Sequence, residues 1–401
     1  MNKLILMLAL FMASVTTTSY AQWIVPDSSH MFTSLSTDGT NLYAASIDGN
    51  EPNVYKSTNQ GNNWSIVYPN NYFYDVTMCY QGKVYIAAHR NGSGMRKSTN
   101  GGLNWIPINI SGGDSVQVFN MYGHNNQIFA GCGGGLWRSP NAGYDWFKML
   151  STNGNPTAIG SIGSRLLYAF GSKLYRTTNA GYTWDSITQP IGFNCFNTMG
   201  NTVYAGGGSI NNLGIWKSTD EGVTWVRVGA STLPNGSYRS IINSGGMLIT
   251  GLAYIYVSTD NGNNWVKSNS EFTNGYAFSD FTIENENIYT LNPRVYRNTL
   301  NNVIGLEQLS TVTPKNYQLS QNYPNPFNPS TTIRFDVTKV QLIRLSVFDV
   351  LGKEIVVLVD EQLRSGTYAI DWNASGVATG VYFYTLSAEG YTETKKMMLL
   401  K

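Results

Sequence analysis

One eight-residue segment occurs six times in this chain of 401 residues, always in the form Ser/Thr-x-Asn/Asp-x-Gly-x-x-Trp. The copies are Ser57–Trp64, Ser98–Trp105, Ser139–Trp146, Thr177–Trp184, Ser218–Trp225 and Ser258–Trp265. Their tryptophans follow one another at intervals of 38 to 41 residues. A regular period of this length indicates a repeat architecture, in which each unit buries its apolar face only by stacking on its neighbours.

Two alternating segments precede each copy. The first is rich in Tyr, Val and Ile, as in Leu42–Ala45 and Val84–Ala87, and the second ends in an aromatic and a basic residue, as in Tyr55-Lys56 and Trp216-Lys217. Alternation with period 2, bounded by Gly and Asn turns, is typical of β-strands. No segment of this region has the 3.6-residue period of a helix. Four short strands per repeat predict one propeller blade in each.

The eight-residue segment is predicted to form the turn between the third and fourth strands of its blade. Its Asn or Asp side chain can accept hydrogen bonds from backbone N–H groups, and its Gly can adopt positive φ without a Cβ clash. Its Trp begins the outer strand and covers the hairpin with a large apolar face.

These segments resemble the Asp-box repeats of sialidases, sortilin-type receptors and related propellers, with Asn often in the Asp position. The resemblance covers roughly residues 22–305 and implies a β-propeller. It says little about function, because Asp boxes in that family lie in turns away from the catalytic face.

The blade count follows from the two ends of the repeat region. Strands continue after Trp265, but Asn298–Val303 stands where the next box should begin and lacks both the Gly and the Trp. Trp23 lies 41 residues before Trp64, in register with the series. We therefore expect Gln22–Pro26 to supply the fourth strand of the last blade, which removes two exposed sheet edges. Residues 22–305 then form seven blades, with six or eight as alternatives.

The N-terminus has the pattern of a secretory signal peptide over residues 1–21: Lys3, an apolar run from Leu4 to Val15, and small residues ending at Ala21. An uncleaved anchor is the alternative. The mature chain contains no stretch near the roughly 20 apolar residues that span a bilayer. Its net charge of +2, with 12% charged residues, gives no reason to propose nucleic acid or acidic lipid as a partner.

The repeat stops near residue 305, and residues 306–320 read as a linker. Residues 321–401 contain six or seven short alternating strands, which predict a small Ig-like β-sandwich. This tail resembles the C-terminal sorting domain of type IX secretion cargo in Bacteroidota. The matching segments are Tyr323–Phe327, Val347–Gly352, Gly366–Trp372, Gly380–Tyr384 and Lys395–Met397.

The resemblance of the tail implies export by the type IX secretion machinery, followed by release or attachment at the outer surface. An ordinary carbohydrate-binding sandwich is the rival interpretation. The expected fold is therefore all-β, with a seven-bladed β-propeller followed by a small Ig-like β-sandwich sorting domain.

No catalytic constellation emerges from the chain. A sialidase needs several arginines around a carboxylate, but the candidates fall at unmatched places and the family's Arg-Ile-Pro signature is absent; they are Arg90, Arg165, Arg239 and Arg294. A glycosidase needs two carboxylates facing one cleft. Nothing in the sequence pairs the candidates for that role, which are Asp75, Asp114, Glu271 and Asp280. His89 has no Ser, Cys or acidic partner close in sequence.

Three further groups of residues have a structural and a functional interpretation. We expect Cys79, Cys132 and Cys195 to be small buried hydrophobes, with one disulfide as the alternative. Basic residues before the boxes are expected to be solvated strand ends, or else a cationic ring: Lys56, Lys97, Arg138, Arg176, Lys217 and Arg297. Aromatic residues where blades connect could stack on sugars or peptides, or pack between blades: Tyr72, Phe73, Tyr74, Phe193, Tyr238, Tyr276 and Phe278.

We therefore expect a secreted or surface-attached monomer that binds a glycan or protein ligand through its loop face and performs no catalysis. No catalytic, cofactor-binding or metal-binding residue is assigned. The alternative is a glycoside hydrolase or lyase on a sialidase-like scaffold, acting on extracellular polysaccharide. A third hypothesis, by analogy with photosystem-assembly propellers, is an assembly or stress-related factor.

Overall fold

The structure is a computed structural model. It describes residues 23–46, 53–69, 74, 76–88, 94–110, 116–179, 181–188, 192–208, 213–244, 246–268, 278–285, 287–292, 294–300, 303, 305–374 and 377–400. None of these residues belongs to a helix long and apolar enough to span a bilayer.

Seven antiparallel sheets follow one another within the described residues up to position 300, and in each the strands pair in sequence order. The first two sheets contain β1 (Phe32–Thr37), β2 (Leu42–Ser46), β3 (Val54–Ser57), β4 (Ser65–Tyr68), β5 (Val76–Tyr80), β6 (Lys83–Ala87), β7 (Met95–Ser98) and β8 (Ile106–Ile108). The third and fourth contain β9 (Val118–His124), β10 (Gln127–Cys132), β11 (Gly135–Ser139), β12 (Phe147–Ser151), β13 (Pro156–Ile162), β14 (Arg165–Phe170), β15 (Lys173–Thr177) and β16 (Asp185–Thr188). The last three contain β17 (Phe193–Met199), β18 (Thr202–Gly207), β19 (Gly214–Ser218), β20 (Val226–Val228), β21 (Ile241–Ser244), β22 (Met247–Gly251), β23 (Ile255–Ser258), β24 (Val266–Lys267), β25 (Phe281–Glu284), β26 (Asn287–Leu291) and β27 (Val295–Thr299).

The sheets close into a ring. The first strand of each sheet contacts the first strand of the next, from β1 to β25, and β25 contacts β1 in turn. The second strands, such as β2 and β22, are buried along their whole length because neighbouring sheets cover both faces. The fourth strands, such as β12 and β24, are largely exposed at the outside of the ring.

The repeated segment forms the turn between the third and fourth strands, as the sequence predicts. In all six copies the Ser or Thr hydroxyl accepts the N–H of the conserved Gly at 2.7 to 2.9 Å. The Asn or Asp Oδ1 accepts the N–H four residues further on at 2.8 to 2.9 Å. The Gly has φ between 81° and 91°, a conformation in which a Cβ would be strained.

In several sheets the basic residue before the turn connects its own sheet to the next one. Lys56 Nζ donates to the Gly101 carbonyl at 3.1 Å, and Lys97 Nζ donates to the Ala142 carbonyl at 3.0 Å. Both carbonyls belong to the residue just before the Gly of the following turn, and both residues have positive φ. Lys217 repeats the contact at 3.1 Å, in its case with the Asn261 carbonyl.

The expectation of a solvated strand end is therefore wrong for Lys97, which is only 1% exposed, whereas Lys56 and Lys217 are half-buried. The physical reason is that a carbonyl turned out of its own sheet by positive φ needs a donor, and the adjacent sheet supplies it. Arg176 instead lies 3.4 Å from Asp185 of its own sheet.

The ring closes at a seam between its first and last sheets. Ile24 and Arg297 exchange backbone hydrogen bonds of 2.9 and 2.8 Å, so the N-terminal segment lies beside β27. Trp23 is buried in a cluster with Tyr296 and Leu300. Arg297 also donates from Nη1 to the carbonyl of Gln60 in the first sheet at 2.8 Å. The predicted strand at 22–26 corresponds here to one β-bridge at Ile24, with Gln22 outside the described residues.

A second unit follows at the C-terminal end. Its strands are β28 (Leu306–Ser310), β29 (Gln318–Leu319), β30 (Ser330–Val337), β31 (Gln341–Phe348), β32 (Glu354–Leu363), β33 (Gly366–Asn373), β34 (Gly380–Ala388) and β35 (Tyr391–Leu399). They form two sheets, with the strand orders β28-β33-β30-β29 and β32-β31-β34-β35. The two sheets enclose one hydrophobic core, to which Phe335, Leu345 and Trp372 contribute.

The structure differs from the sequence interpretation of residues 306–320 as a linker. Residues 306–310 form β28, which pairs with β33 at the edge of the first of these two sheets. Leu306 is 1% exposed and belongs to the core of the C-terminal unit. Burial of Leu306, together with backbone pairing to β33, makes this segment part of the second unit.

If the seam holds the ring together, replacing Trp23 should destabilise it. We expect Trp23→Ala to lower the free energy of unfolding by about 3–5 kcal/mol, the usual cost of removing a buried large aromatic side chain. Chemical denaturation of the purified protein measures this change. Leu103→Ala, at an 82% exposed position, is the control and should change stability by less than about 0.5 kcal/mol. Equal midpoints for Trp23→Ala and wild type would contradict the role of the seam.

A second test concerns the contact between sheets at Lys97. We expect Lys97→Met to lower the free energy of unfolding by about 1.5–3 kcal/mol, because the Ala142 carbonyl loses a charged donor. The cation also loses its position 3.2 Å from the ring centroid of Tyr144. Lys339→Met, which removes only an exposed 3.5 Å pair with Glu389, is the matched control and should cost less than about 1 kcal/mol. Similar losses in the two variants would refute the contact as a stabilising one.

Candidate functional site

The first strands of the seven sheets surround a channel with a volume of about 550 Å³. Each sheet contributes residues to its wall. Because all the sheets have the same topology, their first strands run in the same direction and begin at one end of the channel. We call that end the mouth. The turns that carry the repeated segment lie at the opposite end.

β-Bulges place one extra residue of several first strands at the mouth. The pairing register shifts at Thr33, Phe119, Thr157 and Asn194, and all four residues line the channel. A bulge bends its strand and re-aims a side chain, and bulges are frequent next to functional sites. This geometry places residues from four different sheets on the wall of the same channel.

The last two sheets present Arg239 and Ser279 at the equivalent positions, two residues before β21 and β25. The Ser279 N–H donates to the Leu291 carbonyl, while the Leu291 N–H donates to the Asp280 carbonyl, both at 3.2 Å. Ser279 and Asp280 thus both face Leu291, the two-against-one arrangement of a β-bulge. The mouth ring is defined here as Thr33, Phe119, Thr157, Asn194, Arg239 and Ser279.

Hydroxyl and amide groups dominate the polar part of the channel wall. Ser34 and Ser36 each lie 3.1 Å from the Thr77 hydroxyl of the adjacent sheet. Asn194 donates from Nδ2 to Ser237 Oγ at 2.9 Å. Among the described residues that line the channel, Asp280 is the only acid and Arg239 the only base. The wall therefore suits hydrogen bonding to a polar ligand.

Asp280 lies on the wall just below the mouth ring and connects the last sheet to the first. Its Oδ2 accepts the N–H of Leu35 at 3.2 Å. Burial raises the pKa of the Asp280 carboxyl to about 7, although hydrogen bonds from the Leu35 and Phe281 N–H groups offset part of this effect. No described residue forms an ion pair with the carboxylate.

The three cysteines are free thiols, so the alternative of a disulfide is not realised. Cys132 is fully buried in a core cluster, as expected for a small hydrophobe. Cys79 and Cys195 instead line the channel. Burial raises the pKa of all three thiols to about 12, which keeps them protonated at neutral pH.

Of the charged sequence candidates that the structure describes, Arg239 and Asp280 line the channel. Arg165 forms a 2.5 Å ion pair with Glu221, and Arg294 is exposed in the turn between β26 and β27. The other candidates lie outside the described residues: Asp75, His89, Arg90, Asp114 and Glu271. Among the described His, Cys, Asp and Glu side chains, no three converge as a metal site.

The aromatic residues where sheets connect are core residues wherever the structure describes them. Tyr74, Phe193, Tyr238 and Phe278 are at most 1% exposed, so stacking on a sugar or peptide is wrong for these four. Each packs in a hydrophobic cluster between adjacent sheets, where burial of its large apolar surface stabilises the packing of the sheets. Tyr72, Phe73 and Tyr276 lie outside the described residues.

A Ser-His-Asp cluster near the N-terminus was not found by the sequence interpretation. His30 Nδ1 lies 2.6 Å from Asp27 Oδ2 and 2.9 Å from Ser29 Oγ. Both partners contact the same ring nitrogen, whereas a catalytic triad uses one nitrogen for the acid and the other for the nucleophile. The cluster is therefore a local turn network. Burial raises the pKa of Asp27, but hydrogen bonds from Ser29 and His30 outweigh that effect, and the net shift is downward.

Two further clefts lie between the sixth sheet and the C-terminal unit, with volumes of about 430 and 650 Å³. Val257, Lys267 and Trp372 are among the residues that line them. They follow the boundary between two packed units and lack the bulged, convergent side chains of the channel mouth. The channel is therefore the better candidate site.

The serine, threonine and asparagine residues of the mouth ring were missed by the sequence interpretation. Such residues are common in turns and strand ends, so their type alone carries no signal. A signal does exist in their spacing, because each stands at the same place relative to the second strand of its repeat, as Thr33 does to Ala45 and Asn194 to Gly206.

Comparison with known protein families gives a match for the C-terminal unit. Residues 321–400 match the family described as "Secretion system C-terminal sorting domain". This match confirms the predicted sorting domain and indicates export by the type IX secretion system to the cell surface or the extracellular space. No curated protein matches the chain.

Solved structures similar to this chain include propeller-like proteins. YCF48 from Cyanidioschyzon merolae is 13% identical with a TM-score of 0.52, covering 70% of this chain and 98% of its own. The extracellular domain of BT4673 from B. thetaiotaomicron is 10% identical with a TM-score of 0.52, covering 96% of this chain and 60% of its own. At these identities the likeness concerns the fold alone.

The raised pKa of Asp280 predicts a pH-dependent stability. Between the ordinary Asp pKa near 4 and about 7, the native state holds a proton that the unfolded chain has released. Stability from this group is therefore fully present below about pH 4 and is lost as the pH rises through about 7.

We expect the melting temperature of wild type to fall relative to that of Asp280→Asn between pH 4 and pH 8. The amide keeps an acceptor for the Leu35 N–H and cannot ionise. Thermal melts of both proteins at several pH values measure the difference. Parallel curves across this range would show that Asp280 does not titrate as described.

Proposed function

We propose that this protein is an exported seven-bladed Asp-box β-propeller that binds a glycan or protein ligand at the mouth of its channel. The observation that carries the proposal is the mouth ring, in which different sheets place side chains such as Thr157, Asn194 and Ser279 on the wall of one channel. Function on propellers resides in such end-face and channel residues, because the strands are occupied by packing.

The seven-bladed assignment rests on the seven described sheets and on the closed series of contacts between their first strands. In this assignment Ile24, paired with Arg297, supplies the outer edge of the seventh blade. The signal peptide at 1–21 and the propeller boundaries of 22–305 belong to the same proposal.

The Asp-box assignment rests on the hydrogen bonds of the repeated turn. The same Ser/Thr hydroxyl, Asn/Asp oxygen and positive-φ Gly recur in six sheets with nearly identical distances. All six turns lie at the end opposite the mouth, which leaves the mouth end for recognition.

An Ig-like sandwich is proposed for the C-terminal unit. Its two four-stranded antiparallel sheets share one core. The Tyr368 hydroxyl donates to the Arg364 carbonyl at 3.0 Å, and the Tyr382 hydroxyl donates to the Ala378 carbonyl at 2.7 Å. A tyrosine bonded to the backbone a few residues upstream is a feature of Ig-like corners.

Binding is favoured over hydrolysis by the carboxylate content of the channel. Glycosidases usually use two carboxyl groups that flank the scissile bond. Among the described lining residues only Asp280 could take one of these roles. The alternative of a glycoside hydrolase or lyase requires a second carboxylate from the mouth-end loops, for which Asp75, Asp114 and Glu271 remain the candidates.

The experiment is a glycan-array screen, with a parallel screen of extracellular proteins, using the purified exported protein. We expect a ligand whose affinity falls roughly tenfold in Thr157→Val or Ser279→Ala, since each change removes one hydrogen-bonding hydroxyl. Tyr182→Ser, at an 83% exposed position in the turn of the fourth sheet, is the matched control and should bind as wild type does.

Two results would count against the proposal. Unchanged affinity in both mouth variants would place the binding site elsewhere. Cleavage products from a bound glycan, lost when Asp75, Asp114 or Glu271 is replaced, would favour the hydrolase alternative.

A further inference from the structure

The channel contains an acidic group that has no ionic partner among the described residues. Asp280 lies on the wall, and its carboxylate accepts hydrogen bonds from two neutral backbone groups, the Leu35 N–H at 3.2 Å and the Phe281 N–H. The two neighbouring first strands, β1 and β21, present hydroxyl and apolar groups to the channel, including Ser34 and Ile241. A carboxylate in such surroundings has lost much of its hydration without gaining a counter-charge.

The other titratable and charged groups around Asp280 are few in the described elements packed against it. Cys195 of β17 is a protonated thiol at neutral pH. Arg239, before β21, is exposed at the mouth. On the strand that carries Asp280, Glu284 lies at the far end and is bonded to the Thr37 hydroxyl at 3.2 Å. No cation from these elements neutralises the carboxylate.

The charges of Arg239 and Asp280 act on a ligand with unequal strength, because the two side chains lie at different depths. Arg239 is exposed, so water and salt screen its charge. Asp280 lies deeper, where the effective dielectric constant is lower and screening is weaker. A cation that passes the mouth ring therefore meets a net attraction. It also relieves the desolvation of the carboxylate, because an opposite charge stabilises the ionised form.

The geometry favours a slender ligand with its charge at the tip. The carboxylate lies below the mouth ring, so a ligand group must pass between side chains of several sheets to reach it. Lys and Arg side chains combine a flexible apolar stem with a terminal cation. The stem can contact wall residues such as Met121 and Phe196, which line the same channel.

Building on the proposed function, we propose that the channel receives a lysine or arginine side chain of a protein partner, whose cation forms an ion pair with Asp280. The ligand class at the mouth is then a protein with an exposed basic residue. The remaining hydroxyl and amide groups of the mouth ring hydrogen-bond to the backbone beside that residue.

The test measures binding of three blocked peptides, acetyl-Gly-Lys-Gly-amide, acetyl-Gly-Arg-Gly-amide and acetyl-Gly-Gln-Gly-amide, to the exported protein by saturation-transfer NMR. At pH 8 we expect the Lys or Arg peptide to bind at least tenfold more tightly than the Gln peptide. At pH 5, where Asp280 is protonated, that preference should disappear. This comparison uses the wild-type protein alone, so it does not depend on the folding of a variant.

Two variants localise the effect. Asp280→Asn should weaken binding of the basic peptides at least tenfold, whereas Arg239→Gln should strengthen it, because it removes a like charge from the mouth. Circular dichroism melts verify that both variants fold. Equal binding of the three peptides at pH 8, or full binding by Asp280→Asn, would overturn the inference.

The outcomes also separate this inference from the proposed function. Neutral glycan binding that depends on Thr157 and not on Asp280 would leave the binding function intact and reject the cation site. Absence of every ligand, glycan, protein and peptide, would reject both.

Discussion

The whole ring depends on each sheet being covered on both faces by its neighbours. A four-stranded sheet with fully buried second strands, such as β2 or β22, is not stable alone, because its apolar faces would be in water. The lysines that reach into the following turn add a polar connection to this packing, since they supply donors to carbonyls that positive φ has turned outward. Apolar stacking and these hydrogen bonds act at the same boundaries between adjacent sheets. The last of these boundaries forms only when the ring closes, where Arg297 of the seventh sheet contacts Gln60 of the first.

Much of this fold could be predicted because its information is local and repeated. The Ser, Asn and Gly of each turn lie within five residues of one another, so their spacing alone indicates the hydrogen bonds that form. The role of Lys56 and Lys97 could not be found in this way, because each acceptor belongs to the next repeat, more than forty residues along the chain. Tyr238 and Phe278 were similarly ambiguous, since an aromatic side chain at a connection suits both burial and ligand stacking, and only the packing of adjacent sheets decides between them.

The candidate site was predicted less well, for a related reason. Arg239 and Asp280 were recognised as charged residues that could serve chemistry, but the sequence placed neither of them in the channel. Their positions follow from where the first strands of the last two sheets begin, and the residues at these strand starts have no distinctive type, as at the bulges of the other sheets. The residue types of Thr157 and Ser279 carry no signal, and only their common position relative to the second strand of each repeat relates them. The interpretation of 306–320 as a linker failed similarly for residues 306–310, because the partner of Leu306 lies on β33, some sixty residues later.

The seam at Ile24 and Arg297 also governs the order in which the ring can be completed. Contacts within each sheet, and between successive sheets, are close in sequence and can form as the chain emerges during synthesis. The seam and the other contacts between the last sheet and the first, such as that of Asp280 with Leu35, join the two ends of the repeat region. Closing so long a loop carries the largest entropic cost of any contact in the ring. Six sheets can therefore assemble early as an open arc whose two end faces are uncovered. The ring resists unfolding cooperatively only after the last repeat has packed against the first.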